Sequence, residues 1–170
     1  QNIIIGHDAF KTAAGTENDN IAIGYKAMED AIADATQHNI VIGNLAGDDF
    51  GNSATEGTVL IGHSSGTAIN SNDASYTVCI GYQSGKALTS GVGNIAIGHQ
   101  ALDAEDDGDY NTAVGTQALK VQTGTSGTVA NTALGYQAGK AITKGKYNTI
   151  IGYQALSTED VGDRSIAIGH

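Results

Sequence analysis

The sequence of 170 residues contains no proline, no tryptophan and only two phenylalanines. So few large side chains exclude the bulky core of a conventional globular domain. A single cysteine, Cys79, excludes an intrachain disulfide framework and leaves the redox compartment open. No apolar run approaches the length of a transmembrane helix and no signal peptide is visible, so we expect no membrane insertion by this chain.

Positive charge is also scarce, because 8 Lys and Arg stand against 18 Asp and Glu, for a net charge of −10. This balance argues against binding nucleic acid or an anionic membrane through a basic surface. The chain contains no Cys-x-x-Cys pair, no phosphate-binding loop and no recognisable Ser/His/Asp set. We therefore assign no catalytic, cofactor-binding or metal-binding residues, expect no cofactor, and expect that the protein is not an enzyme.

What the sequence has in excess is glycine, and ten of its 24 glycines anchor copies of one short motif. Consecutive anchors lie 17 to 20 residues apart, and a good copy reads Asn148-Thr-Ile-Ile-Gly-Tyr-Gln-Ala-Leu156. Ten copies indicate one structural unit that is stacked many times. The anchors are Gly6, Gly24, Gly43, Gly62, Gly81, Gly98, Gly115, Gly135, Gly152 and Gly169.

Each copy carries a strand signature just before its glycine. The residue directly before the glycine is always Ile, Val or Leu, and the residue two positions earlier is Ile, Val or Thr, so both side chains share one face. The residue between them is also apolar, as in Ala22, Val41 and Leu60. A strand that is apolar on both faces is typically buried on both, so we expect one face to fill the coil and the other to meet a neighbouring chain.

Residues after the glycine indicate a fixed interior volume. The third is only Ala or Ser, and the fourth is either bulky or Gly. Where the fourth is Gly, a bulky residue follows three positions later, so we predict one large apolar plug per coil, supplied from one of two places. The plugs are Phe10, Met28, Leu102, Leu119 and Leu156 at the first place, and Phe50, Ile69, Leu88 and Ile142 at the second. In the five coils whose plug lies at the first place, the position three residues later holds Ala13, Ala31, Glu105, Gln122 and Glu159.

Polar residues form two further columns. Asn, or otherwise Thr or Ser, lies four residues before the glycine, and Gln lies two residues after it in five copies. Amides stacked at one position can hydrogen-bond along the stack. The glycine itself suits a tight corner with a positive φ or a close backbone approach. The acidic residues concentrate in connections of variable length, which we interpret as surface loops.

These columns predict an all-β fold, a parallel β-solenoid or β-roll with one coil per repeat of 17–20 residues. We treat residues 1–170 as a single repetitive domain and expect it to be a fragment of a longer fibre. Nine steps of about 4.8 Å would give a rod of roughly 43 Å. Because a lone thin rod buries little apolar surface, we expect a homotrimer that buries the second strand face.

The motif resembles the repeats of two kinds of trimeric fibre. The pattern Asn-(Ile/Thr)-Ala-(Ile/Val)-Gly-x-x-Ala is similar to the head repeats of trimeric autotransporter adhesins. Residues 111–119 differ at one position from the Asn-Thr-Ala-Val-Gly-Tyr-Gln-Ala-Leu repeat of phage tail fibres. This resemblance covers the whole chain and implies a trimeric, left-handed parallel β-roll.

The same resemblance implies a function. It indicates a structural or adhesive segment, the shaft or receptor-binding region of a phage tail fibre that serves host attachment as part of the virion. The alternatives are a bacterial trimeric surface adhesin or another extracellular filament. In each case a cell-surface glycan or another receptor would be the partner.

Two groups of residues raise a metal hypothesis. His7, His63, His99 and His170 directly follow anchor glycines, where three symmetry-related histidines of a trimer could hold an ion, although a flat ring at a corner explains the column more simply. The run Asp103, Glu105, Asp107, Gly108, Asp109 is similar to the start of a calcium loop, but Val114 stands where such a loop needs Glu. A solvated acidic loop is the simpler interpretation.

An enzyme with a left-handed hexapeptide helix, such as an acyltransferase, is the remaining alternative. Three hexapeptides should fill each coil of that fold. The positions six and twelve residues after Ile23 are Glu29 and Ala35, which are not both aliphatic, and the irregular spacing breaks the register. That hypothesis would make His63 or His99 catalytic.

Overall fold

In the computed structural model the chain forms a β-solenoid. The residues that the structure describes are 1–12, 15, 17–31, 36–51, 55–71, 74–123, 126–160 and 162–170. Within these residues the fold is all-β and has no α-helix, which confirms the predicted fold class. Ten parallel strands, one from each motif copy, stack into one sheet in chain order.

Each motif copy contributes a strand of three residues, in which β-branched side chains favour the extended backbone. The strands of the large sheet are β1 (Ile3–Ile5), β2 (Ile21–Ile23), β3 (Ile40–Ile42), β4 (Val59–Ile61), β5 (Val78–Ile80), β6 (Ile95–Ile97), β8 (Thr112–Val114), β10 (Thr132–Leu134), β11 (Thr149–Ile151) and β12 (Ile166–Ile168). Every residue pairs with its motif equivalent in the next coil, as Leu60 does with Cys79. Two shorter strands, β7 (Gly108–Asp109) and β9 (Gly127–Thr128), pair within the connections.

The anchor glycines form one axial row, which confirms the predicted register. Their φ angles lie between +132° and +147°. A Cβ atom added at Gly81 would lie 2.6 Å from the carbonyl oxygen of Gly98, and one added at Gly98 would lie as close, 2.6 Å, to that of Gly115. Because the obstacle is the backbone of the next coil, only glycine fits the row.

The coil interior holds the middle residue of each strand and one plug, as predicted. The middle residues from Ala22 to Ile150 and the plugs from Met28 to Ile142 are fully buried. A Cβ atom added at Gly47 would come within 2.9 Å of the Phe50 ring, so glycine stands where the plug arrives from three residues further on. The predicted partner of the first plug, Ala13, lies outside the described residues.

Interior sizes also compensate between the strand and the turn. In three coils a bulky turn residue faces a small strand residue, in the pairs Ala22 with Met28, Ala96 with Leu102 and Ala113 with Leu119. In three others a glycine accompanies a larger strand residue, in the pairs Val41 with Gly47, Leu60 with Gly66 and Cys79 with Gly85. Six of the nine coils therefore adjust these two positions together. The other three coils do not, because Ala133 accompanies Gly139, and Ile4 and Ile150 accompany the bulky Phe10 and Leu156.

The turn after each glycine contains left-handed residues that the sequence did not indicate. The second and fourth residues after the anchor have positive φ in nine coils, as at Lys26 (+53°) and Met28 (+58°). A left-handed backbone costs about 1–2 kcal/mol for a residue with a side chain. Hydrogen bonds between coils offset this cost: Lys26 donates its N–H to the carbonyl of His7 at 3.0 Å, and Met28 donates to that of Ala46 at 3.0 Å. Successive turn residues thus bond to the preceding and to the following coil.

Candidate functional site

The outer face of the large sheet is an uncovered apolar surface in the single chain. The first and third residues of each strand point outwards, and all ten third residues and seven first residues are Ile, Val or Leu. Neighbouring coils half-bury these side chains in the middle of the sheet, whereas Ile166 at its end is 77 % exposed. At about 4.8 Å per strand, this outer apolar face covers roughly 400–500 Å². This size is that of the largest apolar patch on a typical monomeric protein, and such a patch is often functional.

A column of stacked rings lies at the residue after the anchor glycine, which is His or Tyr in eight of the ten copies and is Asn44 or Thr116 in the other two. His63 stacks on Tyr82 with ring centroids 5.3 Å apart, and Tyr82 stacks on His99 at 5.4 Å. The other stacks join His7 to Tyr25, Tyr136 to Tyr153, and Tyr153 to His170. We call these residues the stacked column.

The stacked column separates the four histidines that the metal hypothesis singled out. Tyr82 lies between His63 and His99, and Tyr25 and Asn44 lie between His7 and His63. Within one chain, therefore, no two of these four imidazoles are adjacent in the stacked column. A flat ring that stacks on the ring of the next coil accounts for the column.

The glutamine column forms the predicted amide ladder. Nε2 of Gln100 donates to Oε1 of Gln83 at 3.1 Å, and Gln117 continues the ladder onto Gln100 at 3.3 Å. Gln137 and Gln154 extend it at 2.7 Å and 2.9 Å. These amides satisfy one another, so the ladder supports the stack rather than offering a reactive group.

The asparagine column forms the expected amide ladder in its first three copies, where Nδ2 of Asn20 donates to Oδ1 of Asn2 at 3.3 Å and Nδ2 of Asn39 donates to Oδ1 of Asn20 at 3.1 Å. The same side chains also bond to the backbone. Oδ1 of Asn20 accepts the backbone N–H of Asn39 in the next coil at 3.0 Å. Nδ2 of Asn39 donates across its own coil to the carbonyl of Thr55 at 2.8 Å. The Oδ1 atoms therefore join successive coils, and an Nδ2 such as that of Asn39 closes its own coil, which explains why a short carboxamide recurs there. Among the described residues, Nδ2 of Asn111 and Nδ2 of Asn148 are buried without a hydrogen-bond partner.

A second column of aromatic residues lies five residues before the anchor glycine and was missed by the sequence analysis. Tyr76, Tyr110 and Tyr147 are 60 %, 54 % and 44 % exposed. All three have a φ of +60°. Their constant offset from the motif was the signal that could have identified them. We call these three residues the tyrosine stripe.

The acidic run at positions 103–109 is only in part the solvated loop that we expected, because Asp106 is exposed whereas Glu105 is not. Glu105 is fully buried, and its Oε1 accepts the backbone N–H groups of Gly108 at 2.9 Å and of Asp106 at 3.2 Å. The carboxylates of Glu105, Asp106 and Asp107 have oxygens within 4.8 Å of one another. Partial burial, and then the neighbouring Asp106, raise the pKa of Asp107. Because Glu105 already closes the turn from inside, these contacts explain the cluster without a cation.

The calcium-loop hypothesis fails at its last position. Val114, which would have to supply the final ligand, is the last residue of β8 and belongs to the large sheet. A valine has no oxygen in its side chain, and a bidentate carboxylate is what this position requires.

An ion-pair cluster joins three coils near the first strands. Glu29 is buried, with its two oxygens 2.7 Å from Nζ of Lys26 and 3.3 Å from Nζ of Lys11. The hydrogen bond from Lys26, more than any other contact, lowers the pKa of Glu29. Desolvation raises the pKa of the nearby Asp48 carboxyl group. Lys11 also lies 3.6 Å from Oδ1 of Asp8, so two lysines face three carboxylates, and Oδ1 of Asp48 is buried without a hydrogen-bond partner.

Cys79 is interior packing. It is fully buried as the middle residue of β5, and burial raises the pKa of its thiol to about 12. Because the thiolate is the nucleophilic form, burial keeps this side chain in its less reactive thiol form at neutral pH.

The hexapeptide alternative predicts a different coil from the one that the structure describes. Among the described residues each motif copy contributes one strand of three residues to the large sheet, not three strands. Ala35, which that register would use, lies outside the described residues. His63 and His99 both stack on Tyr82, and Nδ1 of His63 lies 3.0 Å from Oγ of the adjacent Ser64.

No helix in the described part of the chain has the length and apolarity needed to cross a membrane. Comparison with protein-family models, with curated protein sequences and with solved structures finds no match. Functional inference therefore rests on the geometry of the solenoid and its surfaces.

Proposed function

We propose that this chain is a structural and adhesive segment of a homotrimeric fibre, the shaft or receptor-binding region of a phage tail fibre. The observation that carries the proposal is the outer apolar face, which follows the whole length of the sheet. Three chains around one axis would cover this face, so that each strand is buried on both sides. The tail-fibre form and the left-handed coil rest on the resemblance of residues 111–119 to the repeat of that family.

Burial of the outer apolar face supplies the driving force for association. Removing roughly 400–500 Å² of apolar surface per chain from water contributes about 10–13 kcal/mol before the costs of association are subtracted. An apolar sheet face left in water would also promote uncontrolled pairing with other chains. A closed trimer buries the outer apolar face of every chain, so that no such face is left for further association, and the loops stay on the outside.

The mechanical role follows from the bonds between coils. The sheet, the glutamine ladder and the turn hydrogen bonds each join every coil in their part of the chain to its neighbours. Because these bonds are spread along the rod, bending or pulling loads many of them at once. Such a rod suits a part that holds an attachment surface at a distance from a larger particle.

The subunit stoichiometry in solution tests the proposal. We expect light scattering after size-exclusion chromatography to give a mass close to three times the chain mass of 17.3 kDa. Ile61 and Ile80 lie side by side on the outer apolar face, and a double Ile61→Asp, Ile80→Asp variant should lose the trimer because it would bury charges.

A control variant separates this effect from a general effect of charge. Thr123→Asp adds the same kind of charge at an exposed residue outside the strands and should leave the mass of the assembly unchanged. A wild-type chain that stays monomeric and folded at micromolar concentration would refute the trimer.

A further inference from the structure

Three tyrosines occupy one column of the solenoid at every second coil. Tyr76, Tyr110 and Tyr147 make up this tyrosine stripe, and the coils between them carry small residues at the same position. A Cβ atom added at Gly57 would lie 2.9 Å from Cδ1 of Tyr76, and one added at Gly93 would lie 3.1 Å from Cδ1 of Tyr110. These two rings therefore lean the same way, each with one edge on the glycine of the preceding coil.

The backbone of this column does not require a tyrosine. Other residues take the same position with φ between +52° and +60°, namely Asp19, His38, Ala130 and Arg164, and Gly57 and Gly93 occupy it as well. Hydrogen bonds between coils hold this conformation, as where Tyr76 donates its N–H to the carbonyl of Glu56 at 2.9 Å. The tyrosine rings also fill no place in the core, because between 44 % and 60 % of each residue remains exposed. Exposed tyrosines that folding does not require are typical of binding surfaces.

The rings of the tyrosine stripe remain open to a ligand, unlike those of the stacked column. In the stacked column, rings of successive coils cover one another at 5.2–5.8 Å. In the stripe a coil without an aromatic residue separates each ring from the next, and among the described residues no ring stacks on Tyr76 or Tyr110. Only Tyr147 has a cation over it, the guanidinium of Arg164 at 5.2 Å from the ring centroid.

The spacing of the stripe selects the shape of the ligand. Equivalent atoms two coils apart are separated by about 9–10 Å. This is the scale of one disaccharide unit in an extended β-1,4-linked chain. Successive sugars of such a chain turn over, so every second sugar presents the same face to the protein.

The charges around the tyrosine stripe indicate that its ligand is neutral. The net charge of −10 disfavours a polyanion, whereas a neutral sugar chain carries no such penalty. The negative face of a tyrosine ring attracts the weakly positive C–H groups of a sugar face. Oε2 of Glu56, which lies 3.1 Å from the Tyr76 hydroxyl, and the guanidinium of Arg164 can bond to sugar hydroxyls beside the rings.

From this geometry we infer that the tyrosine stripe docks an extended, neutral β-1,4-linked polysaccharide, with one sugar in two stacked on a tyrosine. The inference rests on the adhesive role proposed above and names the surface and the ligand class for it. The stripe residues lie two positions before the first residue of each strand, so they are not among the strand residues that define the outer apolar face.

Calorimetric titration of the 170-residue chain with defined oligosaccharides tests the inference. A β-1,4-linked glucose hexamer spans all three rings and should bind at least tenfold more tightly than the dimer, which reaches one ring. The α-1,4-linked glucose hexamer, which coils, should show no such gain. Equal affinity for the α-linked and β-linked hexamers would overturn the inference.

Variants assign the binding to the stripe. Tyr110→Ala removes the central ring and should weaken hexamer binding about five- to tenfold, whereas Tyr110→Phe keeps the ring and should bind like the wild type. Tyr82→Ala in the stacked column removes a ring that is 47 % exposed and should leave the affinity unchanged. Unchanged affinity in Tyr110→Ala, or an equal loss in Tyr82→Ala, would refute the assignment.

The mass of each sample, measured by light scattering, distinguishes the two proposals. Trimers that bind none of the oligosaccharides would refute docking at the stripe and leave the fibre proposal intact. Monomers that bind the hexamer with the expected variant pattern would refute the trimer and support the stripe.

Discussion

Two rows of glycine follow the solenoid, and they are glycine for different reasons. In the anchor row φ is near +135°, and an added Cβ atom would strike the backbone of the next coil. In the row four residues after the anchor, which we call the plug row, the glycines have φ between +53° and +61°. An added Cβ atom there would meet the ends of side chains such as Phe50 and Leu88.

The difference explains why one row is invariant and the other is not. The anchor is glycine in all ten coils because a backbone atom cannot move aside without breaking the stack. The plug row exchanges glycine for bulky residues at the same backbone conformation, since Gly85 and Leu102 both have φ of +54°. The stack dictates the first row, whereas the volume of each coil dictates the second.

The largest effect is expected at the anchor row. Gly81→Ala places a methyl group 2.6 Å from the carbonyl oxygen of Gly98, so we expect a loss of about 4 kcal/mol or more in the free energy of unfolding, or no folded protein. Urea unfolding followed by circular dichroism, at one protein concentration, measures this loss. A loss below about 1 kcal/mol would remove the distinction between the rows.

An intermediate effect is expected when a plug is duplicated. Gly85→Leu adds a second plug beside Leu88, whose Cδ1 lies 2.8 Å from the added Cβ, and should cost about 1–3 kcal/mol. Combining it with Leu88→Ala and Cys79→Ala copies the arrangement of Ala96 and Leu102 in the next coil.

The triple variant should therefore be more stable than Gly85→Leu alone, and more stable than Leu88→Ala alone, which leaves a cavity. The same unfolding measurement compares the variants. If the loss in free energy of unfolding of the triple variant equals the sum of the losses of its single substitutions, the coil does not redistribute its interior volume.

A smaller effect is expected for a single methyl group in the plug row. Gly47→Ala meets only the ring edge of Phe50 at 2.9 Å and the end of Leu60 at 3.0 Å, both of which can shift. We expect a loss of about 1–2 kcal/mol, which is the cost of the left-handed backbone. The shift of the urea midpoint relative to Gly81→Ala gives the comparison, and an equal shift would contradict it.

The smallest effect is expected at a glycine that belongs to neither row. No atom lies within 4 Å of a Cβ added at Gly162. Gly162→Ala should leave the free energy of unfolding unchanged or raise it by about 0.4–1 kcal/mol, because alanine restricts the unfolded chain. A loss above about 1 kcal/mol would show that glycine is required for reasons other than the two described.

Features that recur in columns could be predicted from the sequence. The strand positions, the anchor row and the exchange of plugs between Gly47 and Phe50 appear as patterns, because each coil repeats the same physical constraint. The left-handed turns could not be predicted, because Lys26 and Leu45 are not residues that favour positive φ. Their conformation is held by hydrogen bonds to adjoining coils, which exist only after stacking.

The candidate surfaces show the same limit. Glu105 was expected in solvent because charged residues favour water, and its burial depends on N–H groups that its own turn presents. The tyrosine stripe lies outside the nine-residue motif, where the variable connections hide a constant offset. The trimer and the adhesive role remain predictions that the proposed experiments test.

Each asparagine of the asparagine column serves the coil that comes after it in the chain. Oδ1 of Asn2 accepts the backbone N–H of Asn20 at 2.9 Å, and Oδ1 of Asn131 accepts that of Asn148 at 2.8 Å. A finished coil therefore displays a ready acceptor on the side from which the ribosome delivers the next segment. Coils can therefore add to the rod in order from its N-terminal end. Each new coil donates its backbone N–H to an asparagine of the coil that is already folded, so folding can proceed during synthesis.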